Sequence, residues 1–600
     1  MQKKSAFLSL FLAGSVIIFM ALWYPKWEKT GTEATLSWDV LGYYLYLPAC
    51  FIYKDLKQLD FKKEIISKYQ PTSGFYQAFR HQKSGNYIMK YPVGLAVLYA
   101  PFFGIAHGYA LMTAYPADGF SFPYQFAISW GSVFIAFLGL WFSLKILRLY
   151  FNDLSSGATL LLVAIGSNYL NYSAIDGAMP HNWIFTLYAM LIWLTIQWYE
   201  KPSLFKSLAI GLCVGLAALS RPTAIIACLI PLIWGLSKKA DIITRFSLFT
   251  RHWKLVISTI FTVALVGSIQ LLYWKSISGE WIIYSYEEQG FSWLRPHIKD
   301  VLISYRKGWL VYTPIMLLTL FGFIPLYKKY KPVFWVSFFY FLLHFYIVAA
   351  WDIWAYGGAF GQRALIESYA VLIFPLAAFW EKAFQYKRLK WLSIGFSAFC
   401  IWLNIFQTYQ AHGYGFETEA MTKAYFWRIF ANPNPTDLDK KLLDSKEDYQ
   451  GERIDVQQVY FNDFEDKPKL ETLSDQYAFS GNYALRLNKE KEFSSEFLLN
   501  MEEKHPKWIR AGATFFLPQK EWSVWNMTQM IVQIEKDGYI VKKRMIRIQR
   551  QLSERQWQAN WIDLQLPQEG FDQVKIYFWN AGSAKEVFVD DLKVEVYQPE

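Results

Sequence analysis

The sequence predicts an α-helical polytopic membrane domain followed by a soluble all-β sandwich, and three observations carry that reading. Hydrophobic residues make up 54% of the 600 and charged residues only 18%, where soluble domains carry about 25% charge. The apolar residues gather in long runs as far as about residue 410. Beyond that point charges mix evenly and short alternating runs replace the long ones, the pattern of half-buried strands.

The first apolar run, 6–23, follows Lys3 and Lys4. Bulky Trp23, Tyr24 and Pro25 stand where a cleaved leader needs small residues, so an uncleaved span with its N-terminus inside is expected. Ten more spans are expected near 122–145, 156–175, 180–198, 206–220, 222–237, 254–274, 309–327, 332–350, 364–380 and 390–409. Those near 206 and 222 are short for about 30 Å of hydrocarbon, and Pro222 divides them. With eleven spans, the basic loops at Lys145/Arg148, Lys201/Lys206, Lys238–Arg251, Lys328–Lys331 and Lys382–Arg388 all fall on one side, which the positive-inside rule makes cytoplasmic. The outer 275–308 loop balances its basic residues with Glu280, Glu287, Glu288 and Asp300. Residues 92–115 are apolar but would invert every later loop as a full span. They are read as a broken re-entrant or interfacial helix within a first outer loop of 25–121, with an ordinary span as the alternative.

This gives a membrane domain over 1–411, a polar linker over 412–455 containing Asn432-Pro-Asn-Pro-Thr-Asp437, and a β-sandwich over 456–600 on the outer side. Its strands are expected at 456–461, 483–487, 531–534, 561–566, 574–579 and 587–596. The net charge of +11 resides in the membrane loops and no nucleic-acid-binding motif accompanies it, so nucleic acid is not an expected partner. Cys50, Cys213, Cys228 and Cys400 show no CxxC spacing, and the histidines form no HExxH pattern, so neither a disulfide framework nor a metal site is expected in the membrane domain.

Chemistry is expected at the outer face. The stretch 35–49 carries Asp39 just beyond the first span, followed by Tyr43, Tyr44 and Tyr46. The topology puts Arg80, His81, Lys90, Asp176, His181, Arg221, Asp352 and Arg363 on the same side. An acid among several cations suits a displacement with an anionic leaving group. Asp39 is the candidate base and Lys90, Arg221 and Arg363 the candidate phosphate ligands. His181, Tyr43 and Asp352 are candidate substrate contacts, and Asp352 is also the rival base. The competing readings are that Arg221 and Arg363 merely snorkel from helix ends, that His181 makes a structural hydrogen bond, and that the tyrosines are interfacial packing.

Over 1–410 the ordered set Trp38-Asp39…Gly42-Tyr-Tyr, Lys90-Tyr-Pro92, Asp118-Gly-Phe, Gly215-Leu-Ala-Ala-Leu-Ser-Arg-Pro222 and Gly357-Gly-Ala-Phe-Gly-Gln-Arg363 resembles the GT-C superfamily of membrane glycosyltransferases. Its relatives include lipid A aminoarabinose transferases and protein O-mannosyltransferases. The resemblance implies a catalytic role for Asp39, a sugar donor on a polyprenyl phosphate, and a lipid, glycan or protein acceptor. It also implies interfacial helices beside the site and a multi-pass location in a bacterial plasma membrane. Asp39 lacks the acidic neighbour often found in the family, and Val93 replaces a second proline. A transporter or flippase of lipid-linked glycans, or an assembly protein, is the alternative function.

The tail, with Tyr460-Phe-Asn-Asp-Phe-Glu465, Ser480-Gly-Asn-Tyr-Ala-Leu-Arg-Leu487 and Val587-Phe-Val-Asp-Asp-Leu592, resembles carbohydrate-binding-module jelly rolls. That resemblance implies a structural calcium at Glu465 and Asp590, with plain turn acids as the alternative. Trp522, Trp525, Trp557 and Trp561 either stack on sugars or fill the sandwich core.

Overall fold

The computed structural model describes residues 5–286, 288–413, 415–466, 473–501, 507–567 and 570–600. Lys3, Lys4 and Glu287, which entered the charge pattern above, lie outside them. The chain forms two compact units, Met1–His412 and Gly413–Glu600.

In the first unit, seven helices among the described residues are long and apolar enough to cross a membrane: Ser5–Glu28, Gly94–Leu111, Phe122–Tyr150, Trp253–Ser278, Lys331–Ala350, Arg363–Ala383 and Lys387–Ala411. The unit is that of a multi-pass membrane protein. Arg363–Ala383 is enclosed by its neighbours and forms the centre of the bundle, whereas Trp253–Ser278 is mostly open on its outer faces. A helix apolar all round needs one of those two surroundings. Several expected spans are shorter than anticipated. Asp153–Ile165 stops at Gly166, and Tyr169–Ala174 follows as a separate turn and a half. Leu204–Ser220 ends before Pro222, after which the chain continues as a 3-10 segment, Pro222–Cys228, and a short helix, Leu229–Ile233.

The 92–115 segment differs from expectation in one respect. Gly94–Leu111 is a single unbroken helix with Pro101 inside it. Its start packs against the end of Leu204–Ser220, where a Cβ on Gly94 would lie 2.3 Å from the Ser220 backbone nitrogen. Near its other end His107 bonds the Tyr124 hydroxyl at 2.6 Å, at the start of Phe122–Tyr150. Phe122–Tyr150 runs parallel to Pro180–Glu200, with Asn182 bonded to Ser132 and Thr186 to Ile135. Both ends of the Gly94 helix therefore meet the end of the bundle that carries Pro180 and Arg221. The hairpin β1 (Ala78–Arg80) and β2 (Tyr87–Met89) lies in the same loop region.

The second unit is a two-sheet sandwich. Its strands are β3 (Arg453–Asn462), β4 (Leu473–Ser474), β5 (Ala484–Leu487), β6 (Phe497–Asn500), β7 (Trp508–Phe516), β8 (Gln529–Lys536), β9 (Tyr539–Arg547), β10 (Trp557–Gln565), β11 (Gln573–Trp579) and β12 (Val587–Pro599). One sheet has the order β10-β7-β12-β5-β4, with β3 also on β12, and the other β6-β11-β8-β9. Alternate residues such as Ile509, Ala511 and Ala513 on β7 and Val574, Ile576 and Phe578 on β11 fill the core between them, as a period of two requires. The linker expected over 412–455 instead holds a helix, Lys423–Ile429, and a 3-10 turn, Asp437–Leu443, and its last residues already belong to β3. This segment is fastened to the sandwich, for example by Arg547 on Asp444 at 2.6 Å.

Candidate functional site

A cavity of about 410 Å³ opens where the Pro180–Glu200 and Leu204–Ser220 helix ends meet the first loop. Asp39, Tyr43, Lys90, His181, Arg221 and Arg363 all line it. Asp39 occupies the first turn of a short helix, Trp38–Tyr44. Its Oδ2 accepts a hydrogen bond from Arg363 Nη2 at 2.8 Å, and its Oδ1 accepts one from the Tyr91 hydroxyl at 2.7 Å. Arg363 follows Gly361, whose φ of 61° permits the turn that brings the guanidinium inward. Tyr91 reaches Asp39 because position 42 is glycine: a Cβ there would stand 2.2 Å from the Tyr91 ring. The Tyr43 ring lies 4.6 Å from that of Tyr91.

Burial raises the Asp39 carboxyl, but the Arg363 guanidinium and the Tyr91 hydroxyl outweigh it and hold the group below the usual carboxylate range. The side chain keeps 31% of its surface open, so an ionised oxygen faces the cavity. The Tyr91 phenol is raised well above its ordinary value, by burial first and by the neighbouring Asp39 charge second. It is a donor at neutral pH.

The cations differ in their freedom. Arg221 caps Leu204–Ser220 and pairs with Glu367 Oε1 at 2.5 Å, beside His181, whose Nδ1 lies 3.1 Å from the same oxygen. The Arg221 guanidinium stands 5.6 Å from the Tyr356 ring. Lys90 forms no ion pair among the described residues, and its ammonium lies 6.0 Å from the Tyr286 ring. Among the described residues the cavity therefore offers an ammonium without an ion pair, two anchored guanidiniums and an ionised carboxylate.

Other expected residues lie elsewhere. Asp352 is absent from the lining, although its neighbours Trp351 and Ile353 belong to it. Its carboxylate is spent on the Gly290 backbone N–H and the Ser292 hydroxyl, which fold the 289–292 turn onto the helix end. Asp176 pairs with Lys26 at 2.7 Å, and Arg80 donates to the Gly85 carbonyl. His81 bonds Ser84. In the second unit Glu465 accepts from the Asn482 and Tyr483 backbone N–H groups, and Asp590 from those of Phe479 and Ser480. The two acids flank the same turn, but N–H donors face them where calcium needs six to eight oxygens. Among the described residues no group of three His, Cys, Asp or Glu gathers for a metal. Trp522 and Trp525 are exposed, while Trp557 and Trp561 are half-buried.

Sequence reasoning missed Glu367 and His344. Glu367 is fully buried and receives Arg221, His181 and, at 3.6 Å, His344. The signal was present: a carboxylate within an apolar span, four residues after Arg363, is rare without a function or a partner.

No family model matches the chain, and no curated protein matches it. Among solved structures, ArnT from Cupriavidus metallidurans in the apo state is similar at 11% identity, over 66% of this chain and 68% of that one, with a TM-score of 0.37. The oligosaccharyltransferase AglB from Archaeoglobus fulgidus, in complex with an inhibitory peptide and a dolichol-phosphate, is similar at 11% identity over 75% of this chain, with a TM-score of 0.41. The chain spans 62% of the length of that protein. A family 16 carbohydrate-binding module is similar at 15% identity over 22% of this chain and 87% of that one, with a TM-score of 0.17. At these identities and scores the likeness is one of shape, and what those proteins bind or transfer is theirs.

Proposed function

We propose that the protein is a membrane glycosyltransferase that moves a sugar from a polyprenyl-phosphate donor to an acceptor outside the cytoplasm, by a single inverting displacement. The observation that carries this reading is the Asp39 carboxylate sharing one cavity with Lys90, Arg221 and Arg363. The donor phosphate is held by the Lys90 ammonium and the Arg363 guanidinium. Arg221, fixed by Glu367, supplies further positive potential. The acceptor hydroxyl attacks the anomeric carbon from the face opposite the phosphate. The bond from that carbon to the phosphate oxygen breaks, its electron pair leaves with the phosphate, and the hydroxyl proton passes to Asp39. The phosphate is a weak base and needs no general acid.

The resting contact between Arg363 and Asp39 gives this site an order of events. A phosphate that draws the guanidinium away removes the charge that most depresses the carboxylate. Asp39 then becomes a better base when the donor is in place. His181 and Tyr43 line the sugar side. The chain resides in a bacterial plasma membrane with its N-terminus in the cytoplasm and the Asp39 face and sandwich outside. The acceptor is a lipid, glycan or protein.

The reading is tested with the full chain reconstituted in liposomes and supplied with a panel of polyprenyl-phosphate sugars and acceptors. Release of polyprenyl phosphate with an inverted product linkage is expected. Glycan movement across the bilayer with no bond broken would replace transfer by transport.

A further inference from the structure

A second cavity lies at the other end of the same helices, and its chemistry is different. It encloses about 450 Å³ between Pro180–Glu200, Leu204–Ser220, Leu229–Ile233 and the first half of Trp253–Ser278. Trp198, Ile210, Val214, Leu232, Phe249 and Ile260 make up much of its wall. The Tyr199 and Thr259 hydroxyls at its edge are spent on the Pro231 and Ser207 carbonyls. Trp198 stands seventeen residues along the helix from His181, about 25 Å at 1.5 Å per residue. At about 30 Å³ of liquid volume per water-sized group, the cavity has room for about fifteen such groups, the scale of one acyl chain.

The helix beside this cavity, Lys239–Arg251, is not one of the spans, and none of 240–251 is buried. Ile242, Ile243 and Phe246 are exposed on one arc of it, the arrangement of a helix lying in the membrane interface. Phe249, next along that arc, is part of the cavity wall. Arg245 stands behind one wall residue, Tyr199. Its guanidinium stacks 3.9 Å from the Tyr199 ring, and one nitrogen donates to the Trp234 carbonyl. Its Nη1 is buried without a hydrogen-bond partner, and among the described residues no carboxylate forms an ion pair with it. Arg251 and Lys254, both exposed, follow in the sequence.

We infer that the cavity holds one acyl chain of an anionic bilayer phospholipid, with the lipid phosphate at Arg245. The long apolar wall takes the chain, the Arg245 guanidinium takes the phosphate, and the interfacial helix sets both at headgroup depth. The inference is independent of the transfer reaction, because none of these residues lines the Asp39 cavity.

Native mass spectrometry of the full chain in detergent tests it, with phosphatidylglycerol, phosphatidylcholine and a polyprenyl phosphate as probes. Wild type should retain phosphatidylglycerol over phosphatidylcholine by about fivefold, the worth of one basic side chain at an anionic headgroup. Arg245→Gln should abolish that preference, and Ala264→Phe, which fills the cavity, should lower retention of both phospholipids. Arg245→Gln carries the test alone if Ala264→Phe does not fold. Equal retention of the two phospholipids by wild type, or an unchanged preference in Arg245→Gln, would overturn the inference. So would displacement of phosphatidylglycerol by polyprenyl phosphate in wild type, which would give the cavity to the donor chain.

Discussion

Replacing Tyr91 by Phe isolates one contact of Asp39 while keeping the ring that Gly42 accommodates. The lost interaction is the 2.7 Å hydrogen bond from the phenol to Oδ1, a bond to a charged acceptor worth about 1.5–3 kcal/mol when fully buried. Asp39 is 31% exposed, so the lower half of that range applies. Its loss raises the Asp39 carboxyl toward the ordinary carboxylate range. The sign follows from the native state: the phenol stabilises the charged form, so its removal moves the group upward from its depressed position. Any stability that the ionised Asp39 contributes is present above the unfolded-state value and is lost as pH falls through the folded one. In Tyr91→Phe that loss begins at higher pH. The assay is the pH dependence of kcat/KM for sugar transfer in liposomes between pH 4 and 9. The acid limb of Tyr91→Phe should lie at higher pH than that of wild type, with the neutral plateau lowered less than tenfold. A uniform loss at all pH values, with the limb unmoved, would show that Asp39 is not the titrating group.

Three further outcomes follow from the packing. Gly42→Ala places a methyl 2.2 Å from the Tyr91 ring; it should cost about 1–3 kcal/mol by overpacking and reduce transfer more than Tyr91→Phe does, as read by thermal unfolding and turnover together. Glu367→Ala strands Arg221 in the bundle without its partner and should lower stability by about 3–5 kcal/mol, with Glu367→Gln recovering part of it in the same melting assay. In the sandwich, fully buried Asp563 takes two bonds from Arg510, at 2.7 and 2.9 Å, and one from the Tyr597 hydroxyl. Asp563→Ala should destabilise that unit by a similar amount, read as an earlier loss of its near-ultraviolet circular dichroism.

The convergence of Asp39, Lys90, Arg221 and Arg363 was legible because each charge sits at the edge of an apolar run, and the parity of the basic loops fixes which edges share a face. Asp352 met the same criterion and failed, because periodicity does not reveal that Gly290 and Ser292 fold back onto its carboxylate. Glu367 escaped because attention to helix ends passes over an acid one turn inside a span. In the sandwich, alternation located β3, β5, β8, β10, β11 and β12. It missed β7, whose Ala-Gly-Ala centre lacks β-branched residues, and β9, whose Lys-Lys-Arg run interrupts the apolar period. Both strands are held in register by their neighbours across the sheet, a source of order that single-strand propensity does not contain.

The measurement that bears most directly on the central claim is the transfer rate of Asp39→Asn from a polyprenyl-phosphate sugar in liposomes, alongside Asp39→Glu and donor binding. The asparagine keeps the size but takes up no proton, and its one amide oxygen can accept from only one of the two donors, Arg363 and Tyr91, that the carboxylate accepts from. Turnover of Asp39→Asn should fall by about 10²–10⁴-fold with donor binding retained, and Asp39→Glu should recover part of it. Transfer by Asp39→Asn at the wild-type rate would contradict the central claim.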